Sequence, residues 1–197
     1  GEGEPVVTYV ESGTGHIYNI NLTTQESVRV SATTIPLAQV AAITPNGQHV
    51  IIQSDIGARA SFIFGTISSS TDRLSNYELV EQITSFAATD DNQFLLATRG
   101  SGSLVVKKLD PATGDVETLF TVPFQEAAVS WHHTVDGPHF VYPKATSQLE
   151  GYVYKYTNGQ VSRVNATGYG LSAAGSDAVT LFSSTEEETY TSHTLDE

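Results

Sequence analysis

The residues best suited to chemistry are concentrated in the segment His132–His139, which contains three histidines and Asp136. Imidazole and carboxylate groups are common ligands of zinc and similar ions. Adjacent residues of an extended chain point to opposite sides, so we expect that His132 and His133 do not reach the same ion. The Gly-Pro dipeptide in this segment is typical of a wide hairpin turn. We therefore predict a turn here and no metal ligand.

Two acidic runs could supply oxygen ligands for calcium, Asp90-Asp91-Asn92 and Glu186-Glu187-Glu188. Neither follows the alternating spacing with a central glycine that a dedicated calcium loop requires. The first run is typical of a turn, in which Asp and Asn side chains bond to their own backbone, and the second of a solvated loop. Calcium binding at either run is the alternative that the sequence leaves open.

No segment matches the motif of a serine hydrolase elbow, a zinc protease helix or a phosphate-binding loop. Gly100-Ser101-Gly102 is a lone glycine-rich turn between two predicted strands. Two carboxylates that meet only in the folded chain could still form a catalytic pair. The sequence therefore identifies no catalytic residue and no cofactor-binding residue, predicts no cofactor, and leans against an enzyme.

Aromatic residues recur at alternate positions of the predicted third strands, which places them on one face of a sheet. They are Tyr18, Phe62, Phe64, Tyr152, Tyr154 and Tyr156. Packing between neighbouring sheets explains most of them, and a stripe that binds carbohydrate or peptide is the alternative. Asn21-Leu22-Thr23 and Asn165-Ala166-Thr167 match the acceptor pattern for N-glycosylation, but both lie in or beside predicted turns.

The composition of the 197-residue chain is that of a folded protein, with 39% hydrophobic and 16% charged residues. Its formal net charge of -13 repels phosphate backbones, so nucleic acid is not an expected partner. The absence of cysteine excludes disulfides and thiolate chemistry. The first residues lack the pattern of a signal peptide, and no apolar run is long enough for a membrane helix. Methionine is also absent, which favours a mature or trimmed piece of a longer protein over a complete cytoplasmic one.

Short β-branched and aromatic runs alternate with Gly, Asn, Asp and Pro clusters along the chain, and no helical periodicity is sustained. We therefore predict an all-β protein. An apolar hairpin recurs about every 45 residues, an interval typical of repeat architectures. Its copies are Ala38–Ser54, Thr84–Thr98, Ala127–Tyr142 and Tyr169–Phe182. A more polar hairpin lies between them. Its copies are His16–Val30, Leu104–Phe120, Tyr152–Val164 and the separated strands Ala60–Thr66 and Tyr77–Glu81.

One hairpin of each kind gives four antiparallel strands, which is the blade of a β-propeller. The first strand of each unit is small and apolar because first strands crowd around the central axis, where bulky side chains do not fit. Val40, Ala87, Val129 and Ser172 are the residues expected to line that axis. A β-sandwich is the alternative, but it does not require small first strands at a fixed interval.

We count roughly 18 strands, in blade units at about 6–31, 38–83, 84–122, 126–165 and 168–195. The first unit begins at its second strand and the last ends after its third, so three blades are complete and two are partial. This predicts an incomplete propeller, or a small closed ring, as a single domain over residues 1–197. The open sheet edges of an incomplete propeller invite pairing with a partner chain or a second copy.

Short sequence blocks spread over most of the chain are Val7–Asn21, Thr34–Pro36, Phe64–Ile67, Pro123–Glu126 and Gly151–Tyr154. They resemble an uncharacterised group of WD-repeat-like, TolB-type propeller proteins of small-genome bacteria. In that group further blades follow the matching region, and the propeller is expected outside the cytoplasm with a membrane anchor. The resemblance implies a fold and an extracytoplasmic location. The group has no established activity, so the resemblance implies no site residue.

A propeller without a catalytic signature is expected to bind something rather than to transform it. We therefore predict a non-catalytic extracytoplasmic module that binds a protein or glycan partner through loops such as Ser68–Ser75, His132–Gly137 and Thr146–Glu150. One alternative is a propeller domain that belongs to a hydrolase or peptidase. The other is a structural subunit of a surface assembly, a homo-oligomer or a complex with a partner chain, that pairs through open sheet edges.

Overall fold

The computed structural model of the protein describes residues 4–56, 59–68, 73–79, 81–144, 151–168, 171–175, 179–183 and 191–194. Within these residues the chain forms 18 β-strands. None of the described residues belongs to a helix that is long and apolar enough to cross a membrane. The chain divides into two compact units, residues 1–80 (unit 1) and 81–197 (unit 2), and each is described by itself.

Unit 1 contains two antiparallel sheets in which strands adjacent in the chain are hydrogen-bonded neighbours. The first sheet has the three strands β1 (Val6–Val10), β2 (Ile17–Asn21) and β3 (Ser27–Ser31). The second has the four strands β4 (Ala38–Ile43), β5 (His49–Ile56), β6 (Arg59–Thr66) and β7 (Ser75–Leu79).

Unit 2 contains three sheets with the same meander order. The first is β8 (Ile83–Ala88), β9 (Phe94–Arg99), β10 (Leu104–Leu109) and β11 (Val116–Val122). The second is β12 (Ala127–Ser130), β13 (His139–Pro143), β14 (Gly151–Thr157) and β15 (Gln160–Gly168). The third has the three strands β16 (Ser172–Gly175), β17 (Val179–Ser183) and β18 (Thr191–Thr194).

This arrangement confirms the predicted three complete and two partial blades among the described residues. Individual bounds differ by a few residues from the predicted ones. The first sheet of unit 2, the third predicted blade, begins at Ile83 rather than Thr84. The second sheet of unit 2, the fourth predicted blade, extends to Gly168. The fourth sheet's first strand ends at Ser130, so Trp131 lies just outside it. The single-domain boundary over residues 1–197 and the channel lined by the small first strands stay predictions.

Neighbouring sheets within each unit are held together by buried apolar side chains. In unit 1 the buried cluster joins Ile17 of β2 to Val50 and Ile52 of β5, all three fully buried. In unit 2 one cluster joins Leu104 of the first sheet to Val141 of the second. These face-to-face contacts remove apolar area from water at about 25 cal/mol per Å², which makes them the main stabilising term of the stacked sheets.

In two hairpins between a first and a second strand, a threonine hydroxyl forms the same hydrogen bond to the backbone of the turn. Thr44 Oγ1 accepts a hydrogen bond from the His49 backbone N–H at 3.0 Å, and Thr89 Oγ1 accepts one from the Gln93 N–H at 3.2 Å. Both threonines are buried. A hydroxyl that accepts the backbone N–H of its own turn satisfies a donor that the sheet leaves unpaired.

Candidate functional site

The histidine-rich segment His132–His139 forms a compact turn around the fully buried ring of His139. The His132 backbone N–H donates to His139 Nδ1 at 3.1 Å, so Nδ1 carries no proton. His139 Nε2 lies 3.0 Å from the Val135 carbonyl and must be the protonated nitrogen that donates to it. Burial lowers the pKa of His139 below its usual 6.5. The neutral ring therefore closes the turn by accepting one backbone N–H and donating to one carbonyl, whereas a threonine hydroxyl directly after the first strand accepts the N–H in the two earlier hairpins.

The expectation that His132 and His133 point to opposite sides is wrong. Their ring centroids lie 3.9 Å apart, because the segment after Ser130 is no longer an extended strand. His132 Nδ1 contacts the Thr134 hydroxyl at 2.9 Å, and His133 Nε2 lies 3.7 Å from a carboxylate oxygen of Asp90. Even so, no group of three or more potential ligands that could hold a metal occurs in the described part of the chain.

The run Asp90-Asp91-Asn92 is a turn, as predicted. Asn92 has a left-handed backbone (φ 60°), and its N–H donates to the Thr89 carbonyl at 3.0 Å. The Asp90 N–H donates a hydrogen bond to the His133 carbonyl at 2.8 Å. Asn21 also serves a turn, since its Oδ1 accepts the N–H groups of Thr23 and Thr24.

Several predicted features fall wholly or partly outside the described residues. They are the acidic run Glu186–Glu188, the loop Thr146–Glu150, the centre of the loop Ser68–Ser75 and the side chains of Asn165-Ala166-Thr167.

The aromatic stripe of β14 packs against the preceding sheet of unit 2. The Tyr156 ring stacks on Phe120 of β11 with centroids 4.6 Å apart and planes 17° apart. The rings of Tyr152 and Tyr154 both contact the Phe124 ring, with centroids 5.8 and 5.9 Å from its centroid. Packing within unit 2 therefore accounts for these rings. Phe62 and Phe64 in unit 1 are buried, and the Phe64 ring contacts His49 and Tyr77 of its own sheet. Tyr18 is half-buried and stacks on Tyr9 at 5.4 Å.

A backbone contact recurs at the residue that directly precedes the first strand of a sheet, here called the strand-entry residue. The strand-entry residues are Leu37, Gln82 and Glu126. The carbonyl of each accepts the N–H of a residue at, or next to, the end of the second strand of that sheet. The three bonds are Asp55 N–H to Leu37 at 3.3 Å, Arg99 N–H to Gln82 at 2.9 Å and Lys144 N–H to Glu126 at 3.1 Å. The same backbone device thus presents different side chains in each blade.

In unit 2 the strand-entry residue Glu126 is neutralised by the chain's own cations. Arg99 Nη2 lies 2.5 Å from Glu126 Oε1, and Lys144 Nζ lies 3.5 Å from Oε2. The Gly100 carbonyl in the adjacent turn accepts a bond from Gln125 Nε2 at 2.7 Å. Both carboxylate oxygens of Glu126 and the neighbouring turn are therefore satisfied within unit 2.

In unit 1 the strand-entry residue is Leu37, and its surroundings differ. Leu37 has a left-handed backbone (φ 57°), which is unusual for a residue other than glycine, and its side chain is 55% exposed. A β-bulge follows, with Gln39 unpaired between Ala38 and Val40. A shallow pocket opens beside this segment between the end of β1 and the start of β4, and its walls include Glu11, Ser12, Gln39 and Val40.

Backbone bonds fix this pocket. The Leu37 N–H donates to the Gly13 carbonyl at 2.9 Å, and the Gly13 N–H donates to the Ala38 carbonyl at 2.8 Å. The Ile35 N–H donates to the Thr14 carbonyl at 2.7 Å. Gly15 is required here, because a Cβ at its position would lie 2.6 Å from Ile35 Cβ and its φ is +71°. We call this set of contacts, between residues 11–15 and 35–38, the β1–β4 clamp.

Sequence reasoning missed Leu37, Glu11 and Gln39. The glycines at 13 and 15 indicate a tight turn, but no residue type signals a left-handed leucine. A column alignment of the repeats would have placed Leu37 with Gln82 and Glu126, and Asp55 with Arg99 and Lys144. Within the second column the charge changes from negative at Asp55 to positive at Arg99 and Lys144, and this change is a signal that could have drawn attention to the site.

Comparison with protein-family models and with curated proteins finds no match. Solved structures are similar in fold. The β-propeller domain of the Trilobed protease from Pyrococcus furiosus matches 98% of this chain and 64% of its own length, with 15% identity and a TM-score of 0.62. An acylaminoacyl peptidase in complex with a chloromethyl ketone matches 90% of this chain and 33% of its own, with 15% identity and a TM-score of 0.57.

A third similar structure is YCF48 bound to D1 peptide, with 92% of this chain and 58% of its own covered, 12% identity and a TM-score of 0.57. The chain therefore spans less than two thirds of the length of each of these three structures. At this level of identity the likeness shows the fold alone. The fold is that of a β-propeller, as the sequence predicted, and not a β-sandwich.

Proposed function

We propose that this chain is a non-catalytic interaction module that binds a protein partner. The observation that carries the proposal is the uneven distribution of exposed apolar residues. Ten large hydrophobic side chains are exposed among the described residues, and eight of them lie in unit 1. The eight are Val6, Val7, Tyr9, Leu22, Val28, Leu37, Val40 and Tyr77. Exposed apolar residues that concentrate in one region mark interaction sites more often than residues scattered singly.

The similar structures give this proposal general support. One of them, YCF48, is a protein of the same fold in complex with D1 peptide. A propeller presents strand edges and loops on a rigid scaffold, so binding needs little reorganisation of the chain. Protein rather than glycan is favoured here because the aromatic rings of β14, the stripe suited to stack on sugars, pack against a neighbouring sheet.

The experiment is site-specific photo-crosslinking in cells that produce the protein. Val40, which is 50% exposed, is replaced by p-benzoylphenylalanine, and the control places the same group at Val161 of unit 2, which is 40% exposed. We expect one recurrent protein adduct from position 40 and none from position 161. Adducts of equal yield from both positions, or none from either, would overturn the proposal.

A second candidate is a propeller that belongs to a hydrolase. It is favoured by the similarity to the propeller domain of a protease and to an acylaminoacyl peptidase. In that case the chain would either regulate an adjoining catalytic domain or carry a catalytic pair of carboxylates near the propeller axis, and the second form can be tested on the purified chain. A panel of peptide substrates tests it: turnover by the purified chain that a single carboxylate change abolishes would favour a hydrolase, and a blank panel would count against catalysis by this chain.

Assembly through open sheet edges is the third candidate. The strand β1 forms one edge of its three-stranded sheet in unit 1, and its Val6 and Val7 are exposed. Sedimentation decides it, because a monodisperse 21.1 kDa species at high concentration contradicts self-assembly. The extracytoplasmic location is likewise a proposal, supported by the resemblance to the TolB-type group.

A further inference from the structure

We propose that the pocket beside Leu37 binds an arginine or lysine side chain on an extended segment of the partner protein. This inference rests on the proposed function and names the chemistry of its partner. Four observations on unit 1 carry it: an oriented carboxylate, an exposed apolar surface, a rigid frame and the contrast with the corresponding position in unit 2.

The carboxylate of Glu11 is held with one oxygen available. Its Oε2 accepts the Thr14 hydroxyl and lies 3.6 Å from His16 Nδ1. Among the described residues its Oε1 has no partner, and the side chain is 45% exposed at the pocket wall. A carboxylate oxygen whose partner oxygen is already anchored is a ready acceptor for a cationic N–H donor.

The apolar surface beside Glu11 suits the stem of a long basic side chain. Val40 lines the same pocket and is 50% exposed, and Leu37, which is 55% exposed, directly precedes the pocket residue Ala38 in the chain. Arginine and lysine lay their methylene groups along apolar surfaces while the charged end reaches a polar partner. An acidic side chain would meet the like charge of Glu11, and a purely apolar one would leave Oε1 unpaired.

The frame of the pocket is rigid before binding. The β1–β4 clamp ties the Glu11 turn to the Leu37 segment through backbone bonds between 2.7 and 2.9 Å. A preformed site loses little conformational entropy when it binds, which favours even a small contact. The left-handed backbone of Leu37 is a conformation that glycine would adopt at lower cost, so a leucine there is explained by a role for its side chain.

In unit 2 the strand-entry residue is itself a carboxylate and the chain supplies its cations, whereas in unit 1 the strand-entry residue is Leu37 and the carboxylate at the pocket is Glu11, just after β1. The strand-entry carboxylate of unit 2 takes both a guanidinium and an ammonium group, from Arg99 and Lys144. In unit 1 the residue equivalent to Lys144 is Asp55, whose Oδ1 contacts only the Gln53 amide at 3.2 Å. The described residues of unit 1 thus place no lysine or arginine on these carboxylates, and the net charge of -13 attracts a basic partner.

The test is nuclear magnetic resonance titration of the full chain with four end-capped hexapeptides. They share alternating threonine and valine and differ at one central position, which carries arginine, lysine, norleucine or glutamate. We expect the arginine and lysine peptides to shift the backbone resonances of residues 11–15 and 37–41, and the other two to leave them unchanged. Equal shifts with the norleucine peptide, or shifts spread over all acidic surfaces, would overturn the inference.

Two variants and one matched control locate the effect. Glu11→Gln keeps an acceptor for Thr14 but removes the charge, and should weaken binding of the arginine peptide about fivefold. Leu37→Gly should weaken it about threefold while the fold is retained, because glycine suits the left-handed backbone. Glu26→Gln removes an exposed carboxylate from the turn before β3 and should change nothing. Equal loss from Glu26→Gln and Glu11→Gln would show general charge attraction only and would overturn the inference.

The outcomes separate this inference from the proposed function. A crosslinked partner at position 40 without arginine-dependent shifts would overturn the basic-segment inference and leave the interaction module intact. Peptide shifts that Glu11→Gln abolishes would support the inference. If neither a crosslinked partner nor arginine-dependent shifts are observed, both the inference and the proposed function are overturned.

Discussion

The strand-entry positions of the two units share a backbone and differ in their side chains. In each, a carbonyl before the first strand accepts an N–H from the end of the second strand. Glu126 in unit 2 pairs with two cations of its own unit, whereas Leu37 in unit 1 is exposed and directly precedes the pocket that Glu11 lines. A repeated scaffold thus keeps its backbone geometry while its side-chain chemistry is free to vary.

The two units also differ in what they bury and what they expose. Unit 2 buries His139 completely and ties Trp131 Nε1 to the Ser85 hydroxyl at 2.8 Å between its first two sheets. Unit 1 exposes apolar side chains on β1 and β4. Substitutions at Trp131 and His139 in unit 2 should therefore act mainly on stability, while substitutions of the exposed side chains of Glu11 and Leu37 in unit 1 should act mainly on binding.

The largest expected effect is at the β1–β4 clamp. Gly15→Ala forces a Cβ to within 2.6 Å of Ile35 Cβ at a φ of +71°, so it should lower the free energy of unfolding of unit 1 by about 3 kcal/mol. Gly13→Ala is the matched control, because its φ is +84° but nothing lies within 4 Å of the added Cβ. It should cost about 1 kcal/mol. Hydrogen exchange of the β4 and β5 amides measures both, and equal losses would show that the contact with Ile35 is unimportant.

The next effect concerns His139 in unit 2. Burial lowers the pKa of its imidazole below 6.5, so the unfolded chain binds a proton more readily than the folded one. Stability is therefore fully present above pH 6.5 and is lost as the pH falls from that value towards the lower folded pKa. The groups that face the ring are His132, which lowers the pKa of His139, Asp136, which raises it, and Tyr156, whose ring stacks on the imidazole with centroids 5.8 Å apart.

His139→Gln retains one donor and one acceptor without a proton to gain. Between pH 7 and pH 5 the wild-type chain should lose about 1 kcal/mol more than this variant does, as Trp131 fluorescence in urea would report. His133→Gln, at a 57% exposed histidine, is the control and should keep the wild-type slope. A wild-type slope in His139→Gln would assign the pH dependence to other groups.

A smaller effect separates two leucines of equal exposure. Leu37 and Leu22 are both 55% exposed, but only Leu37 has a positive φ. Leu37→Gly relieves the left-handed strain and should leave the free energy of unfolding unchanged or slightly higher, whereas Leu22→Gly should lower it. We expect a difference of about 1 kcal/mol between the two variants in urea unfolding followed by hydrogen exchange. Equal losses of unfolding free energy would show that the left-handed backbone of Leu37 carries no strain.

The smallest effect is expected at the charged position of unit 2. Glu126→Gln removes the pairs with Arg99 and Lys144, which are all at least 38% exposed. Solvent screens such pairs, so the loss should be below about 1 kcal/mol and should vanish in 1 M salt. A loss that salt does not reduce would mean that Glu126 acts through packing rather than charge.

Local patterns in the sequence were sufficient for the strands and their order. Asn46 and Gly47 mark the β4–β5 turn, and Gly47 has the positive φ, +70°, that such a turn needs. Alternating tyrosines predicted one packed face of β14, and Tyr154 and Tyr156 occupy it. These features follow from residue type and spacing within a few positions, because strand pleat and turn geometry are local properties of the backbone.

The candidate site was not predictable in the same way. The assignment of His132 and His133 to opposite sides assumed an extended strand, which ends at Ser130. Leu37 follows a proline and has no sequence feature that signals a positive φ.

Residue types and local spacing thus establish an acidic chain of repeated four-stranded meanders without a recognised catalytic motif. Whether a carboxylate meets a cation of the same chain depends on the folded structure. Glu126 pairs with Arg99, whereas Glu11 Oε1 has no partner among the described residues, because these surroundings are formed by contacts between residues more than twenty positions apart.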